Sequence, residues 1–364
     1  MPFDPPGVGP ATVVPDPLDP DAFDPDAPAL DDTLFGLPFT PDNARVVVVP
    51  VPWQATTSFR RGTRNGPAAV LRASAQVDLH DLDVGDAWRA GYALLAEDPE
   101  IRAWDAEAEA DALAVIASGG APPGVGSRGG QAAEAAARVN ALGERVNARI
   151  HEVITTLLDA GRLPGVLGGD HSVPFGAIQA VSERWPGIGV LHIDAHADLR
   201  DAYEGFTWSH ASIFHNVMTR LPGITSLVQV GLRDVGAGEL AFQVAQAGRI
   251  HSFPDPHLAH ALASGETWLA VCRRIIAPLP QKVWISFDID GLDPALCPNT
   301  GTPVPGGLSF RDVALLLSEL AASRCIVGFD LNEVGDGEWD GNVAARLLLK
   351  LCGHAVRSNS TAIE

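Results

Sequence analysis

Imidazole and carboxylate side chains alternate in the segment LHIDAHADLR, residues 191–200. They occupy every second position, at His192, Asp194, His196 and Asp198, just where the apolar run GIGVLHI ends. In an extended chain, residues two apart point to the same face. The pattern therefore places two histidines and two aspartates together at the end of a predicted strand, where they could bind a divalent cation.

Three further apolar runs also end in ionisable residues. These residues are Asp170 and His171 in GGDHS (168–172), Asp288, Asp290 and Asp293 in SFDIDGLDP (286–294), and Asp330 and Glu333 in DLNEV (330–334). Carboxylates crowded together without a cation repel one another and raise one another's pKa values. Each motif alone could be a turn or a helix cap. Because Lys and Arg are sparse in these segments, the succession of motifs favours a bound metal as the counter-charge.

Two divalent ions fit this set of groups better than one. A single tetrahedral zinc ion takes about three or four ligands, whereas at least six oxygen and imidazole groups would converge here. No thiolate takes part, which argues against a cysteine-type zinc site, and a mixed carboxylate and imidazole set suits Mn²⁺ or a neighbouring transition metal. Two such ions about 3.5–4 Å apart can share a water and lower its pKa toward ~7.

Short apolar strands and helical patterns alternate along the chain. The predicted strands are ARVVVVPVP (44–52), PGVLGG (164–169), GIGVLHI (187–193), SLVQVGL (226–232), KVWISFD (282–288) and CIVGFDL (325–331). The predicted helices include residues 131–160, 174–184, 266–277, 309–322 with Ser309 as N-cap, and 342–353. Such a pattern predicts an α/β fold with a mostly parallel sheet covered on both faces. Ligands bind beyond the carboxyl ends of the strands in these sheets, where the ionisable residues lie.

The composition allows a large core and narrows the classes of partner. The chain has 364 residues, 46% hydrophobic, and a formal net charge of −20. No Lys/Arg-rich cluster stands out, which disfavours nucleic acid and membrane surfaces and favours a small cationic molecule. The four scattered cysteines lack a CxxC motif and are predicted to be reduced core residues. Since no signal-peptide or membrane-spanning run is evident, we expect a cytoplasmic protein.

The N-terminal segment differs in composition from the rest of the chain. Pro and Asp dominate residues 1–43, as in VPDPLDPDAFDPDAP. Proline removes backbone donors and the aspartates repel one another, so this segment is predicted to be disordered or to lie extended over the surface. One catalytic domain is expected over residues 44–356, followed by a C-terminal tail over residues 357–364.

The order of the motifs GGDHS, DAHAD and SFDIDGLDP resembles that of the ureohydrolase family, which groups arginases, agmatinases and formimidoylglutamases. PVPGGLS at 303–309, DLNEV at 330–334 and RRGTRNGPAAVLRAS at 60–74 extend the resemblance, which covers roughly residues 44–356 and is strongest to agmatinase-like members. It implies an arginase-like three-layer α/β/α sandwich that binds two divalent ions, usually Mn²⁺, with Ni²⁺ as an alternative. It also implies a homo-oligomer, commonly a trimer or hexamer.

The resemblance implies which residues bind the two ions. His171, Asp194, Asp198 and Asp288 would bind one ion, and Asp194, His196, Asp288 and Asp290 would bind the other. His192 matches no ligand of the family and is expected to be either a buried histidine or one that supports a ligand.

The implied reaction is hydrolysis of a guanidino C–N bond, which releases urea and an amine. A metal-bridging hydroxide would attack the planar guanidinium carbon, and Asp198 could accept its proton. Glu333 matches the carboxylate that pairs with the guanidinium, a planar donor suited to a carboxylate. His210, in WSHAS, matches the histidine that relays a proton to the leaving amine. An agmatinase-type amidinohydrolase acting on a small cationic guanidino substrate is therefore the primary hypothesis.

The sequence leaves the far end of the substrate open. The loop LRDAYEGFTWSHASIFHNV lacks the Asn/Ser-rich cluster with which arginases bind the amino-acid head, so arginase activity is disfavoured. Trp53, Phe206 and Trp208 could narrow the pocket toward a small substrate, with Trp208 as a substrate-binding residue, or they could be packing aromatics.

Several alternatives to agmatinase activity remain. Within the family they are guanidine hydrolase, guanidinobutyrase and formimidoylglutamase, the last because DLR at 198–200 is similar to that branch. A related-fold deacetylase would use one zinc ion and would not need all three motifs. A catalytically silent metal-binding relative is the alternative from another class, and the intact Asp198, His210 and Glu333 argue against it.

Overall fold

A parallel β-sheet forms the centre of the molecule. The computed structural model describes residues 23–30, 32–121, 126–246 and 248–360. Its strands are β1 (Val46–Val51), β2 (Tyr92–Leu94), β3 (Leu163–Gly168), β4 (Ile188–Ile193), β5 (Ile224–Val230), β6 (Ile250–Phe253), β7 (Lys282–Asp288) and β8 (Cys325–Asn332). They pair in parallel in the order β2-β1-β3-β8-β7-β4-β5-β6.

The strands are apolar along their length because both faces of the sheet are covered. Strands β1, β3, β4 and β8 are buried at every position. In β1, Val46 and Val48 pack on one side of the sheet, and Val47 and Val49 pack on the other. A strand between two helical layers needs apolar side chains on both faces, so the runs are continuous rather than alternating.

The helices form two layers, one on each face. They are α1 (Gly66–Ser74), α2 (Pro99–Ala117), α3 (Gly126–Asp159), α4 (Phe175–Arg184), α5 (Ile213–Arg220), α6 (Ala237–Ala245), α7 (Asp255–Ala263), α8 (Trp268–Ile276), α9 (Phe310–Ser323) and α10 (Glu338–Ser360). Helices α1 and α7 to α10 contribute to the core on one face, and α2 to α6 contribute to the core on the other. The fold is therefore a three-layer α/β/α sandwich, and this prediction is confirmed.

The predicted strands and helices are present, with small shifts at their ends. The hydroxyl of Ser309 caps α9 by accepting a hydrogen bond from the N–H of Asp312 at 3.2 Å, as predicted. The sequence analysis did not identify helices α2, α5, α6 and α7 or the short strands β2 and β6, which have three and four residues. Runs this short carry almost no periodicity, and α2 begins in an Ala- and acid-rich segment without a clear apolar stripe.

The two terminal segments differ from the expectation in detail. Residues 34–37 do not lie only on the surface, because Leu34, Phe35 and Leu37 are buried in the same core as β1. Helix α10 continues to Ser360, so the predicted tail begins inside a helix. Residues 1–22 and 361–364 lie outside the described residues, and the division into domains stays a prediction.

Two compositional predictions concern the cysteines and the membrane. All four cysteines are free and buried, which agrees with their predicted place in the core. Among the described residues, no helix is both long and apolar enough to cross a membrane.

Candidate metal centre and active site

The ionisable strand ends meet at the carboxyl edge of the sheet. Strands β3, β8, β7 and β4 are neighbours and run in parallel, so the segments that follow them lie side by side. These segments carry His171 after β3, Asp194, His196 and Asp198 after β4, Asp288 and Asp290 at the end of β7, and Glu333 after β8. The topology thus joins four motifs that are distant in the sequence.

Two glycines allow the end of β3 to approach its neighbours closely. A Cβ on Gly169 would lie 1.9 Å from the carbonyl oxygen of Trp53, and a Cβ on Gly168 would lie 2.0 Å from Oδ1 of Asn332. Both distances are far below van der Waals contact, so only glycine fits at either position. The glycines of GGDHS are required because the segments after β1, β3 and β8 pack together, and this packing places His171.

The first cluster of potential metal ligands surrounds the ring of His171. Its Nδ1 lies 3.0 Å from Oδ2 of Asp194, and 3.3 Å from Oδ2 of both Asp198 and Asp288. Its Nε2 lies 2.9 Å from Oγ of Ser286, which fixes the orientation of the ring. One imidazole nitrogen and three carboxylate oxygens therefore converge, and this donor set suits a divalent transition metal.

The second cluster contains Asp194, His196 and Asp290, whose potential ligand atoms all lie within 4.8 Å of one another. Nδ1 of His196 lies 3.2 Å from Oδ2 of Asp290 and 3.4 Å from Oδ1 of Asp194. The adjacent Asp288 is held by the N–H of Asp290, which donates to its Oδ1 at 2.9 Å. Because Asp194 takes part in both clusters, its carboxylate lies where it could bridge two ions.

His192 is buried beside the cluster and forms a hydrogen bond with Asp194. Its Nε2 lies 2.7 Å from Oδ2 of Asp194, and its Nδ1 lies 3.0 Å from Nε2 of Gln229. The amide nitrogen of Gln229 can only donate, so Nδ1 of His192 accepts and its Nε2 carries the proton. His192 therefore donates to Asp194, as groups that orient a metal-binding carboxylate do.

Burial and mutual repulsion shift the pKa values of these groups. Burial and the charge of Asp194 raise the pKa of Asp198 to about 7. Burial and the charges of Asp290 and Asp194 raise the pKa of Asp288 well above its usual value. Burial alone would lower the pKa of His196, but Asp290 and Asp194 raise it to about 12. Without another cation the cluster retains protons, and a metal ion can replace those protons.

Asp198 and Glu333 adopt left-handed backbone conformations, with φ of 54° and 60°. Such conformations cost about 1–3 kcal/mol each in residues that carry a side chain. The carbonyl of Asp198 accepts hydrogen bonds from the N–H groups of Phe214 and His215 at 3.0 and 3.2 Å. The N–H of Glu333 donates to the carbonyl of Gly169 at 2.8 Å. These contacts hold both side chains at the cluster despite the cost.

One carboxylate oxygen of Glu333 is buried without a hydrogen-bond partner among the described residues. That oxygen is Oε2, whereas Oε1 accepts the N–H of His171 at 3.1 Å. Burial and the charges of Asp288 and Asp170 raise the pKa of Glu333 well above its usual value. A Cβ on Gly301 would lie 2.6 Å from Oε2, so a side chain at position 301 would crowd this oxygen. A cationic donor that reaches Oε2 would satisfy it.

A cleft of about 250 Å³ opens beside the clusters. Its lining includes His196, Asp198, Arg200, Tyr203, His210 and Thr302. The N–H of His210 donates to Oγ1 of Thr56 at 3.2 Å. Burial lowers the pKa of His210, and the negative charge of Asp170 opposes this shift. A neutral imidazole in this position can accept or release a proton at the cleft.

Trp208, predicted to bind substrate, packs beside the core rather than along the cleft. Its ring packs edge-on against Phe175, with ring centres 4.8 Å apart, and the guanidinium of Arg220 lies over it at 4.6 Å. Trp53 and Phe206 are buried in the core on the same face of the sheet. The three aromatic residues therefore fill space in or beside the core, and none lines the cleft.

Other residues of the cleft were not identified from the sequence. Phe59 is 69% exposed at the mouth. The guanidinium of Arg200 lies over the ring of Tyr203 at 5.0 Å, and its Nε lies 3.7 Å from Oε2 of Glu239. These residues lie close to the motifs in the sequence, and this proximity was a signal that could have pointed to them. The spacing of residues along a loop does not give the direction of their side chains, so their place in the cleft could not be predicted.

Three of the strand-end aspartates, Asp170, Asp293 and Asp330, lie outside the clusters of potential ligands. Asp170 is buried, and its Oδ1 accepts the N–H of Ser172 at 3.0 Å. Asp293 is exposed, and its side chain accepts the N–H of Ala295 at 2.8 Å. Asp330 is buried, and it accepts hydrogen bonds from Oγ of Ser286 at 2.7 Å and Nε1 of Trp284 at 2.5 Å. Asp293 is thus part of a turn, and Asp330 supports the serine that orients His171.

Comparisons with known proteins agree with this geometry. The Arginase family model matches residues 44–355 of the chain. The N(1)-aminopropylagmatine ureohydrolase of Thermus thermophilus is 34% identical over 318 residues, which are 87% of this chain and 92% of that protein. The agmatinase of Bacillus anthracis is 27% identical over 297 residues, which are 80% of this chain and 84% of that protein.

Solved structures are similar over most of the chain. Proclavaminate amidinohydrolase from Streptomyces clavuligerus has a TM-score of 0.68 and is 25% identical, covering 91% of this chain and 99% of its own. Agmatine ureohydrolase of Thermoplasma volcanium shares the fold, with a TM-score of 0.67, 22% identity and coverage of 94% and 98%. Both the family match and the relative from Thermus thermophilus extend over most of the sequence, and the chain belongs to the arginase family.

Proposed function

We propose that the protein is an agmatinase-type ureohydrolase, which cleaves a guanidino C–N bond and releases urea and an amine. The observation that carries this proposal is the unpartnered buried oxygen of Glu333, which lies beside carboxylates whose partners are histidines. A guanidinium offers planar donors that match a carboxylate. The site therefore has one place for a guanidinium and another for cations that neutralise the clusters.

The residues fit two divalent metal ions, most simply Mn²⁺, with Ni²⁺ as an alternative. In this proposal one ion is bound by His171, Asp194, Asp198 and Asp288, and the other by Asp194, His196, Asp288 and Asp290. The donor set fits such ions because it contains only imidazole and carboxylate groups. These groups lie close enough together to shift one another's pKa values. When bound, such a pair of ions supplies hydroxide at neutral pH.

Three side chains of the chain would act on the substrate. Glu333 would accept hydrogen bonds from the guanidinium through Oε2 and hold its plane. Asp198, which lines the cleft, would accept a proton. His210, at the cleft, would deliver a proton to the departing amine. Intact residues in all three places support an enzyme over a silent metal-binding relative.

The identity of the amine is the finer part of the proposal. Relatives named for agmatine and for N(1)-aminopropylagmatine support a cationic guanidino substrate with an unbranched amine tail. Guanidine hydrolase, guanidinobutyrase and formimidoylglutamase remain the alternatives. We further propose a cytoplasmic homo-oligomer, a trimer or hexamer, whose mass in solution can be measured by light scattering.

Urea release is the direct test of the proposed function. The protein is loaded with Mn²⁺, and separately with Ni²⁺, and assayed with agmatine, N(1)-aminopropylagmatine, 4-guanidinobutyrate, guanidine and arginine. Formamide release from formiminoglutamate is measured alongside. We expect turnover of an amine-bearing substrate that is abolished in Asp198→Asn. Preference for another member of the panel would reassign the branch, and two bound ions without any turnover would contradict the proposal.

A further inference from the structure

The hydroxyl of Thr56 lies between the end of β3 and the cleft histidine. Thr56 is buried and follows β1 in the segment QATTSF. Its Oγ1 lies 2.9 Å from Oδ2 of Asp170, 3.2 Å from the main-chain nitrogen of His210 and 3.5 Å from Nδ1 of the same histidine. One small side chain thus contacts both the backbone and the ring of His210.

The directions of these hydrogen bonds follow from the groups involved. A threonine hydroxyl has one hydrogen to donate and two lone pairs that accept. The carboxylate of Asp170 only accepts, so it takes the hydrogen of Thr56. The N–H of His210 takes one lone pair, and the second lone pair remains for the ring Nδ1. Thr56 therefore presents an acceptor to Nδ1.

Asp170 is held firmly enough to fix the hydroxyl. It is fully buried, and its Oδ1 accepts the N–H of Ser172 at 3.0 Å and also its hydroxyl. The N–H of Thr56 donates to Oδ2 at 3.3 Å as well. Two bonds from one threonine tie the segment after β1 to the segment after β3, so Oγ1 has little freedom to turn away.

A second hydroxyl lies on the other side of Nδ1. Oγ of Ser209 lies 3.4 Å from Nδ1 of His210, and it accepts the N–H of Ala211 at 3.2 Å. Its hydrogen is therefore available to Nδ1. The nitrogen is flanked by an acceptor, Thr56, and a donor, Ser209, so it has a partner whether or not it carries a proton. The ring need not move when its protonation changes.

We propose that Thr56 is a positioning residue that fixes the imidazole of His210 with Nδ1 toward the protein and Nε2 toward the cleft. It does so by accepting from the main-chain N–H and from Nδ1 while donating to Asp170. This inference rests on the proposed function, in which His210 delivers a proton to the departing amine. An imidazole displaced by about 1 Å can lose about a hundredfold in rate.

The test compares isosteric loss of the hydroxyl at two adjacent residues. Thr56→Val removes the contacts that the hydroxyl makes with His210 and Asp170 and keeps the main-chain hydrogen bond to Asp170. The matched control is Thr57→Val, since the hydroxyl of Thr57 donates only to the carbonyl of Gln54 at 3.0 Å. We expect Thr56→Val to lower kcat about 10- to 100-fold with KM changed less than about threefold. Thr57→Val and Thr56→Ser, which keeps a hydroxyl, should retain kcat within about threefold.

A double-mutant cycle separates positioning of His210 from a general structural effect. In the His210→Asn background, Thr56→Val should lower kcat by less than about threefold, because no imidazole remains to be positioned. An equal loss in both backgrounds, or a wild-type kcat in Thr56→Val, would overturn the inference. Metal content is measured in every variant. If the wild-type protein with two bound ions turns over no substrate, the proposed function fails instead, which is a different outcome.

Discussion

Two acidic clusters in this molecule are neutralised in different ways. At the carboxyl edge of the sheet, Asp198 and Asp288 contact His171, and Asp194 contacts His171, His192 and His196. In the other acidic cluster, which includes a residue of α10, Nζ of Lys350 contacts Asp81 at 2.9 Å and Asp83 at 2.5 Å. We call these the metal cluster and the Lys350 cluster.

The pKa values express the difference between the clusters. Burial acts to raise the pKa of Asp81, but hydrogen bonds from Lys350 and from the main chain hold it below its usual value. Burial and a neighbouring carboxylate raise the pKa of Asp198 to about 7. The chain supplies its own cation in the Lys350 cluster, so those carboxylates serve the fold. Among the described residues, no Lys or Arg pairs with the carboxylates of the metal cluster, whose partners are histidines, and a divalent ion is the further counter-charge that we propose there.

The guanidinium of Arg233 does not pair with a carboxylate of the metal cluster. Arg233 follows β5, and its guanidinium donates to the main-chain carbonyls of Asp290 at 2.6 Å, Leu292 at 3.1 Å and Val304 at 3.0 Å. It therefore closes the loop after β7 rather than pairing with a carboxylate. Because the guanidinium of Arg233 is bound to carbonyl groups, it does not neutralise the carboxylates of the metal cluster.

The largest expected effect comes from Asp288→Asn in the metal cluster. Loss of a carboxylate shared by both proposed ions should lower kcat by about a thousandfold or more, since bound metals contribute several kcal/mol to the transition state. Metal content by mass spectrometry should fall below two ions per chain. In EDTA, the same variant should raise Tm, because burial and neighbouring carboxylates raise the pKa of Asp288 in the folded state, which destabilises the folded protein at neutral pH, and asparagine carries no such cost.

Asp81→Asn is the matched control in the Lys350 cluster. The same change there removes a carboxylate that has a cation, so Tm should fall in EDTA while kcat and metal content stay as in the wild type. Opposite signs in Tm for the two substitutions would sharpen the comparison. A change in Tm in the same direction for both substitutions would contradict the comparison, because the stability of both clusters would then depend on their charges in the same way.

Lys350→Met is expected to give the next largest effect, which is a loss of stability without a change in activity. Removing the ammonium leaves Asp81 and Asp83 unpaired, and breaking a largely buried pair costs about 2–4 kcal/mol. Asp83 is partly exposed, which places the cost toward the lower end of that range. Denaturant unfolding measures the loss. Addition of Mn²⁺ should raise Tm of this variant by the same increment as in the wild type, since ligand stabilisation adds to an independent site.

The two clusters also differ in how far the sequence could predict them. GGDHS, DAHAD and DIDGLDP are local motifs at strand ends, so their meeting follows once a parallel sheet is inferred. The Lys350 cluster joins a residue of α10 to a loop near residue 81, and nothing in the local pattern pairs them. The role of Thr56 was equally hidden, because it depends on how the segment after β1 folds against β3. The packing of Trp208 against Phe175 was hidden for the same reason, since the position of a residue in a loop does not give the direction of its side chain.

The smallest expected effect is on metal affinity, which should change on substitution of one buried histidine but not of another. His192→Phe keeps packing against Phe214, whose ring centre lies 4.0 Å away, but removes the hydrogen bond to Asp194. Metal affinity should fall about tenfold, because outer partners of a ligand typically tune binding by that amount. A chelator competition titration measures it. The control is His354→Phe beside the Lys350 cluster, where the buried histidine touches no proposed ligand and affinity should not change. If both substitutions weaken metal binding equally, His192 acts through packing rather than through Asp194.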